Sequence, residues 1–520
     1  MIQKNDNNAR TTTQDTIVSI DLGDSNGKQQ HTFANVQQFI HDRIRATNFA
    51  QAASIAMQLA EQLPQDPWPH LVAAESLYLH QRIESALRYI DRALELDPQS
   101  IPSLVIKSRI SLYSGKHDEA KQFIDTAIGI APGNAQLQFE KGELLSEAGD
   151  LEGSRKALSK SIEINPRKTS SLLSLSRLPG DNFSAKLITQ TEFFAQSHQL
   201  PAEDQVKIHY ALANAYDKKA NIDKHFFHLN AGSALKNRSL NYDPNTSRQE
   251  AQAVIDFFSD DFFKRRSNLQ GNSANLIFIV GFPRCGSTLV EHIISSHPSV
   301  SSAGEIFALN HAVRHLQQIG NSSAIHPHWI DSLPDNILAE LAENYLHRVE
   351  KFNKTSYLTD KLLNNYLHIG LIHLVFPNAS IINVQRNPID TCYSCYKNMF
   401  HLNSIPYSYT LENLADKYRD YQRVIRHWEK VLPGRIYTAE YEQLINQQED
   451  VTRDILGHCG LTWNDACLEF QKNARTVLTN SSIQVRQPLY TNSINRWKTR
   501  EKYLGPLLEL IGNNAPPAQS

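Results

Sequence analysis

The sequence predicts a chain of two unlike halves, α followed by α/β. An N-terminal all-α helical repeat precedes a C-terminal domain built on a parallel sheet. Three observations predict this. A proline recurs every 34 residues, at Pro64, Pro98, Pro132 and Pro166, each after an amphipathic run. Past about residue 270 the texture changes to short, apolar, β-branched runs, each followed by a turn and a helix, as parallel α/β folds require. The length, 520 residues, is enough for two or three domains.

In the first half, small residues share the period of the prolines: Ala52, Ala86, Ala120 and Ser154; Ala93, Ala127 and Ser161; Ala74, Ser108 and Gly142. Small side chains let two helices approach closely, and proline cannot continue a helix interior. A generic helical bundle would not keep four prolines in register. The pattern resembles the tetratricopeptide repeat (TPR), in which antiparallel helix pairs stack into a solenoid. The register fades at both ends: Leu59 breaks the second small series, and no proline follows Pro166 in phase. Tyr210 to Leu235 is read as one more degenerate helical pair.

These signals place a TPR-like repeat domain at 33–250, a linker at 251–274 around Lys264, Arg265 and Arg266, and the α/β domain at 275–512. The polar segment 1–32 is expected to be disordered, and 513–520 a frayed tail. Composition excludes several classes. The longest apolar run, Leu276 to Val280, is too short for a membrane span, and the first residues lack the apolar core of a signal peptide. A formal charge of −2 argues against a dedicated nucleic-acid binder. Five cysteines form no disulfide framework and fit a reducing, cytoplasmic location. Cys392 and Cys395 make a C-x-x-C pair, but no second pair or histidine cluster completes a metal site.

The chemistry-bearing motif follows the strand at Leu276 to Val280. It reads Gly281-Phe282-Pro283-Arg284-Cys285-Gly286-Ser287-Thr288 and opens a helix. Strand, glycine turn and helix N-terminus form an anion cradle of backbone N–H groups. The spacing is that of a nucleotide-triphosphatase loop, yet Ser287 stands where that loop has its lysine, and the cation is Arg284. A kinase without that lysine would lack its β/γ-phosphate contact. A second strand, Ile381 to Val384, ends in Gln385-Arg386-Asn387-Pro388, with Ser394 eight residues after Arg386. An arginine fork and a hydroxyl suit a second phosphate.

Together these loops resemble the sulfotransferases that use 3′-phosphoadenylyl sulfate (PAPS), most closely the arginine-bearing loop of the protein-tyrosine sulfotransferases and their bacterial, repeat-containing relatives. The resemblance covers about Asn275 to Trp497. It implies an α/β, P-loop-like, parallel-sheet sulfotransferase domain with PAPS as donor, PAP as product and no metal. It implies that Pro283, Arg284, Cys285, Gly286, Ser287 and Thr288 hold the 5′-phosphosulfate, and that Arg386 and Ser394 hold the 3′-phosphate. Cys285 replaces a usual serine and removes a hydroxyl donor.

The same resemblance makes Glu305, 21 residues past Arg284, the base for the acceptor hydroxyl, whose free pKa is about 10 for a phenol. A helix-start glutamate beside Gly304 is the structural alternative. Lys361 matches a lysine that stabilises the leaving group. Ser481 matches a catalytic serine, Tyr441 a nucleotide-site tyrosine, and Arg496 a PAPS-contacting lysine. Packing or solvated roles are the alternatives for Tyr441 and Arg496. One departure bears on the acceptor: Phe307 stands where the tyrosine sulfotransferases carry an arginine that reads acidic peptides. The expected acceptor is a hydroxyl, a protein or peptide tyrosine bound with help of the repeats. A glycan, lipid or small phenol is the alternative, as is a repeat scaffold with an inactive transferase domain. No nucleic-acid partner and no membrane span are expected.

Overall fold

A computed structural model describes residues 14–22, 27–46, 48–197, 200–267, 269, 271–319, 327–400, 404–472 and 494–511. The chain folds as two compact units that divide between Ser184 and Ala185.

The first unit holds the repeats. The helices Phe49–Gln62, Ile83–Leu96, His117–Ile130 and Leu151–Ile164 each end two residues before one of the periodic prolines. Two residues past each proline lies the N-cap of the next helix. Asp66, Ser100 and Asn134 cap with their side chains, accepting from the amides of Trp68, Ser103 and Gln136. The period is therefore a stop signal followed by a start signal. The small residues lie where helices touch. Ala52, Ala86, Ala120 and Ser154 are fully buried, and a Cβ added at Gly142 would sit 2.6 Å from Cγ of Leu158. Ser154 Oγ donates to the carbonyl of Gly142 at 2.7 Å. A charged series shares the period. Glu75, Arg109, Glu143 and Arg177 occupy equivalent places on Pro67–Leu79, Ile101–Tyr113, Ala135–Ala148 and Thr169–Arg177. Arg109 also donates to Glu140 at 2.5 Å.

Three boundaries differ from the sequence expectation. Residues 17–32 contain an antiparallel pair, β1 (Ile17–Asp21) and β2 (Lys28–Thr32), rather than disorder throughout. The cause is the alternation of Val18 and Ile20, which bury against Phe33, Val36 and Ile40. The side-chain amides of Gln62 and Gln58 bond the β1 backbone at Ser19 and Asp21, at 2.6–3.1 Å, occupying its edge. The segment 251–274 is no linker. The helices Pro244–Phe257 and Asp260–Arg265 run through it, and Phe258 and Phe262 are buried there, with Phe258 against Trp428. Finally, the helices from Ala185 to Phe257, expected in the repeat domain, belong to the second unit.

Among the described residues, the second unit is built on a five-stranded, all-parallel sheet: β3 (Leu276–Gly281), β4 (Val300–Ser302), β5 (Tyr357–Asp360), β6 (Ser380–Gln385) and β7 (Ile436–Glu440), in the order β4-β5-β3-β6-β7. β3 is buried at every position, as a central parallel strand must be. The chain moves from β3 outward to β4 and β5 on one side, then to β6 and β7 on the other. The switch point lies at the end of β3.

Helices Ala202–Lys218 and Ile222–Arg238 are the degenerate pair expected at 210–235. They enclose a histidine pair, with Nδ1 of His209 and His228 3.1 Å apart and Tyr216 stacked on His228. That contact needs one donor and one acceptor nitrogen, so the two rings cannot both be protonated. Burial, then the charge of His209, pushes His228 down to about 4. A base with a depressed folded pKa binds protons later than its unfolded counterpart. Stability is therefore lost as pH falls from about 6.5 towards 4, at about 1.4 kcal/mol per pH unit for one proton. The melting temperature is expected to fall across that window, and His228→Gln to flatten the dependence in thermal unfolding between pH 7 and pH 5.

Candidate functional site

Parallel strands end on one edge, and each carries a sequence-predicted residue there. Arg284 follows β3, Glu305 follows β4, Lys361 follows β5, Arg386 follows β6 and Tyr441 follows β7. This is where open α/β sheets bind ligands.

The loop after β3 turns on unusual backbone angles. Arg284 has φ +68° and Gly286 has φ +104°, left-handed conformations that suit glycine and strain arginine. Gly286 caps the helix Ser287–Ile294, whose first amides lack acceptors within the helix. A Cβ at Gly286 would lie 2.4 Å from Cδ2 of Tyr441, so only glycine lets the loop pass the ring. Arg284 Nε donates to Ser394 Oγ at 3.3 Å, and Arg386 donates to the carbonyl of Arg284 at 3.4 Å and lies over Tyr441 with 5.0 Å to the ring centroid. The two loops, whose arginines lie 102 residues apart in sequence, thus form one cationic cluster. Ser287 and Thr288 are buried at the helix start.

Cys285 takes a different place from its neighbours. Its thiol is buried and pushed up to about 11 by burial, and its amide donates to the carbonyl of Phe282 at 3.2 Å. It shapes the turn and offers no donor outward. Cys395, of the C-x-x-C pair, donates its S–H to the carbonyl of Pro283 at 3.2 Å, and both Cys392 and Cys395 are free thiols. Cys395 thus braces the loop from the helix Pro388–Tyr396.

Beside the loop, Lys361 is fully buried. Its Nζ meets Glu305 Oε1 at 2.5 Å and Thr288 Oγ1 at 3.5 Å. Glu305 is half exposed, in a segment of irregular backbone before the helix Ala308–Ile319 rather than at its first turn. The base candidate and the cation candidate are in contact, open to solvent on the Glu305 side. Asp360, next to Lys361, is buried and pushed up to about 7 by burial. It accepts from Tyr345 Oη at 3.0 Å, from the amide of Leu362 at 3.1 Å and from Asn365 Nδ2 at 3.2 Å. Those bonds fix the turn that presents Lys361.

Arg496 and Arg500 both donate to Asp217, at 2.6 Å each. Asp390 accepts from the amides of Asn495 and Trp497 at 2.8 and 3.0 Å, pinning the Arg496 segment on the helix that carries Ser394. Sequence reading missed Lys397, at the end of that helix, whose pKa burial and then Arg496 push down to about 7. A lysine three residues after Ser394 was its signal, since that spacing shares a helix face. Ser481 and its loop lie outside the described residues. Among the described residues no group of three or more His, Cys, Asp or Glu is placed to hold a metal ion, and no helix is long and apolar enough to cross a membrane. Gly286→Ala is expected to displace Tyr441 and, by titration, to weaken anion binding at this loop at least about tenfold. Gly434→Ala, also at positive φ but with nothing near its Cβ, is expected to leave binding unchanged in the same titration.

The family model described as Sulfotransferase family matches residues 276–465, and that of the Tetratricopeptide repeat matches 101–134 and 135–168. An Aquifex aeolicus (strain VF5) protein described only as uncharacterized is 30% identical over 414 residues, 78% of this chain and 54% of its own length. Protein-tyrosine sulfotransferase 1 of Danio rerio is 24% identical over 238 residues, 43% of this chain and 65% of its own. The chain therefore spans less than two thirds of either relative. Among solved structures, the sulfotransferase domain of the Synechococcus PCC 7002 olefin synthase aligns with 19% identity and a TM-score of 0.35, over 44% of this chain and 89% of that one. Helical repeats that match the tetratricopeptide model, followed by a parallel-sheet domain that matches the sulfotransferase family model over residues 276–465, make up this chain.

Proposed function

We propose that the chain is a PAPS-dependent sulfotransferase acting on an acceptor hydroxyl in the cytoplasm, with a protein or peptide tyrosine as acceptor and the repeats as the surface that binds its protein partner. The observation that carries the reading is the contact between Glu305 and Lys361 beside the anion loop. A sulfuryl donor of this kind brings two phosphate groups and a transferable sulfuryl group. The glycine cradle at Gly286, with Arg284, Arg386 and Ser394 around it, fits such an anion. Backbone amides at Ser287 and Thr288 and the guanidinium of Arg284 would hold the 5′ side. Arg386 and Ser394, with Arg496, would hold the 3′ side, and Tyr441 the nucleotide.

Within this arrangement Glu305 takes the acceptor proton, and Lys361 supplies positive charge where the leaving phosphate gains negative charge. An ammonium has three donors, so Lys361 can keep Thr288 while it serves the leaving oxygen. Ser481 is assigned its catalytic role by resemblance alone. An inactive scaffold gains no support from Cys285, whose thiol faces the core.

Calorimetry tests the donor: PAP is expected to bind and ATP not to. Binding of ATP without PAP overturns the reading. Glu305→Gln is expected to slow transfer of label from PAPS by about 10²- to 10⁴-fold while leaving PAP affinity within a few fold.

The acceptor side has its own signature. Residues 304–308 alternate buried and exposed, and both Glu305 and Phe307 are exposed. Phe307 is 58% exposed, an apolar face in place of a cation. Tyrosine peptides with neutral flanks are expected to be sulfated in preference to acidic ones, and Phe307→Arg to shift that preference towards acidic flanks. Competition between the two peptides, read by mass spectrometry, checks both.

A further inference from the structure

The helix that leaves the anion loop carries a buried carboxylate that the transfer step does not use. Glu291 is 3% exposed and lies three residues past Thr288, on the same helix face. Its Oε1 accepts from Ser302 Oγ at 2.5 Å and from Thr359 Oγ1 at 3.2 Å. Ser302 ends β4 and Thr359 lies in β5. Three residues after Ser302 comes Glu305, and two after Thr359 comes Lys361. Between them the chain segments continue to pair: the amide of Ala303 donates to the carbonyl of Thr359 at 2.9 Å, and the amide of Lys361 to that of Gly304 at 3.0 Å.

Packing alone does not call for a carboxylate here. Val290, Ile293 and Ile294 bury around it on the same helix, and burying a carboxyl is costly unless it is well bonded. What the carboxylate adds is direction, with one oxygen holding hydroxyls from two different strands. The need for it is local. β4 has three residues and, among the described residues, lies at the sheet edge, paired on one side only, which is the situation in which a strand frays. Glu305 extends from that strand.

We propose that Glu291 is a positioning residue that clamps the segments bearing Glu305 and Lys361 to the helix of the anion loop, so that base and cation keep their register against the bound donor. The proposal rests on the assignment of Glu305 and Lys361 to the transfer step. Removing the acceptor oxygen frees the end of β4, and a displacement of the order of 1 Å at such a site costs about 10²-fold in rate.

Glu291→Ala and Glu291→Gln separate the clamp from a merely structural role, because glutamine keeps an acceptor oxygen. Glu291→Ala is expected to lower kcat by about tenfold or more with PAP affinity within about threefold, and Glu291→Gln to restore kcat to within about threefold. Amide hydrogen exchange is expected to quicken at least about tenfold at Ala303 and Lys361 in Glu291→Ala, to return near wild type in Glu291→Gln, and to stay unchanged at Ile277 to Val280 in both. Unchanged kcat and exchange in Glu291→Ala overturn the proposal. So does a loss of kcat that tracks lost PAP affinity or faster exchange throughout β3. If Glu291→Ala does not fold, Ser302→Ala, which removes the shorter bond and keeps Glu291, carries the same readouts. If the wild type transfers no sulfuryl group, the assignment of Glu305 and Lys361 fails on its own, and exchange at Ala303 and Lys361 in the variants still decides the clamp.

Discussion

Parallel pairing of β3 with both β5 and β6 is the constraint on which the rest of the second unit depends. Parallel strands deliver their carboxyl ends to one edge, so five separate turns open on the same side. The order places β3 between the two directions in which the chain winds, and the loop after β3 has neighbours on both sides. Glu305 and Lys361 come from the β4–β5 side, and Arg386 and Tyr441 from the β6–β7 side. Gly286 must then pass beneath Tyr441, and Arg284 must adopt a left-handed conformation to reach Ser394. Strain at the loop is the cost of bringing both flanks onto one candidate anion site.

The helices before the sheet support its cationic wall. His225 bonds Tyr393 Oη at 3.0 Å, and Tyr396 Oη donates to Asn230 at 2.8 Å, tying Ile222–Arg238 to the helix that bears Ser394. Asp217 is the one carboxylate shared by Arg496 and Arg500 among the described ion pairs. Burial opposes its ionisation, but Arg496 and Lys397 hold it down at about 2. The guanidinium groups of Arg284, Arg496 and Arg500 outnumber the carboxylates Asp217 and Asp390 beside them, which leaves the wall positive, as a site for a multiply charged anion requires.

What could be read from the sequence was what leaves a local mark. A 34-residue proline period marks helix ends and starts, and Leu276 to Val280 followed by a glycine turn marks a strand leading to an anion loop. Arg386 and Ser394 were visible through their spacing on a strand end and its helix. What escaped depended on distant partners. The units divide at Ser184/Ala185 rather than near residue 250: Ala202–Lys218 carries small residues at helical spacing like a repeat, and the attachment of Ile222–Arg238 through His225 and Asn230 has no local signature. Lys264, Arg265 and Arg266 give the segment around Phe258 the look of a solvated linker, while Phe258 and Phe262 bury in the core. Val18 and Ile20 lie in a polar stretch whose composition hid a two-residue alternation. Glu291 reads as an ordinary polar residue on an apolar helix until Ser302 and Thr359 are placed against it.

The asymmetry of the Lys361–Glu305 pair links the two halves of the proposed chemistry. Lys361 has no exposed surface, whereas Glu305 is 48% exposed. A buried ammonium needs a negative partner at every stage, since an uncompensated charge is strongly unfavourable. A half-exposed carboxylate can change its protonation state without leaving the site. If Glu305 takes the acceptor proton, it stops neutralising Lys361 at the moment the leaving phosphate gains charge. Lys361 then exchanges one negative partner for another without moving through solvent. Proton transfer on the acceptor side and charge development on the donor side are coupled through a single ammonium. A shared register is what such coupling demands: the carboxylate, the lysine and the loop helix must keep their spacing throughout, which gives the short edge strand that bears Glu305 more mechanical importance than its three residues suggest.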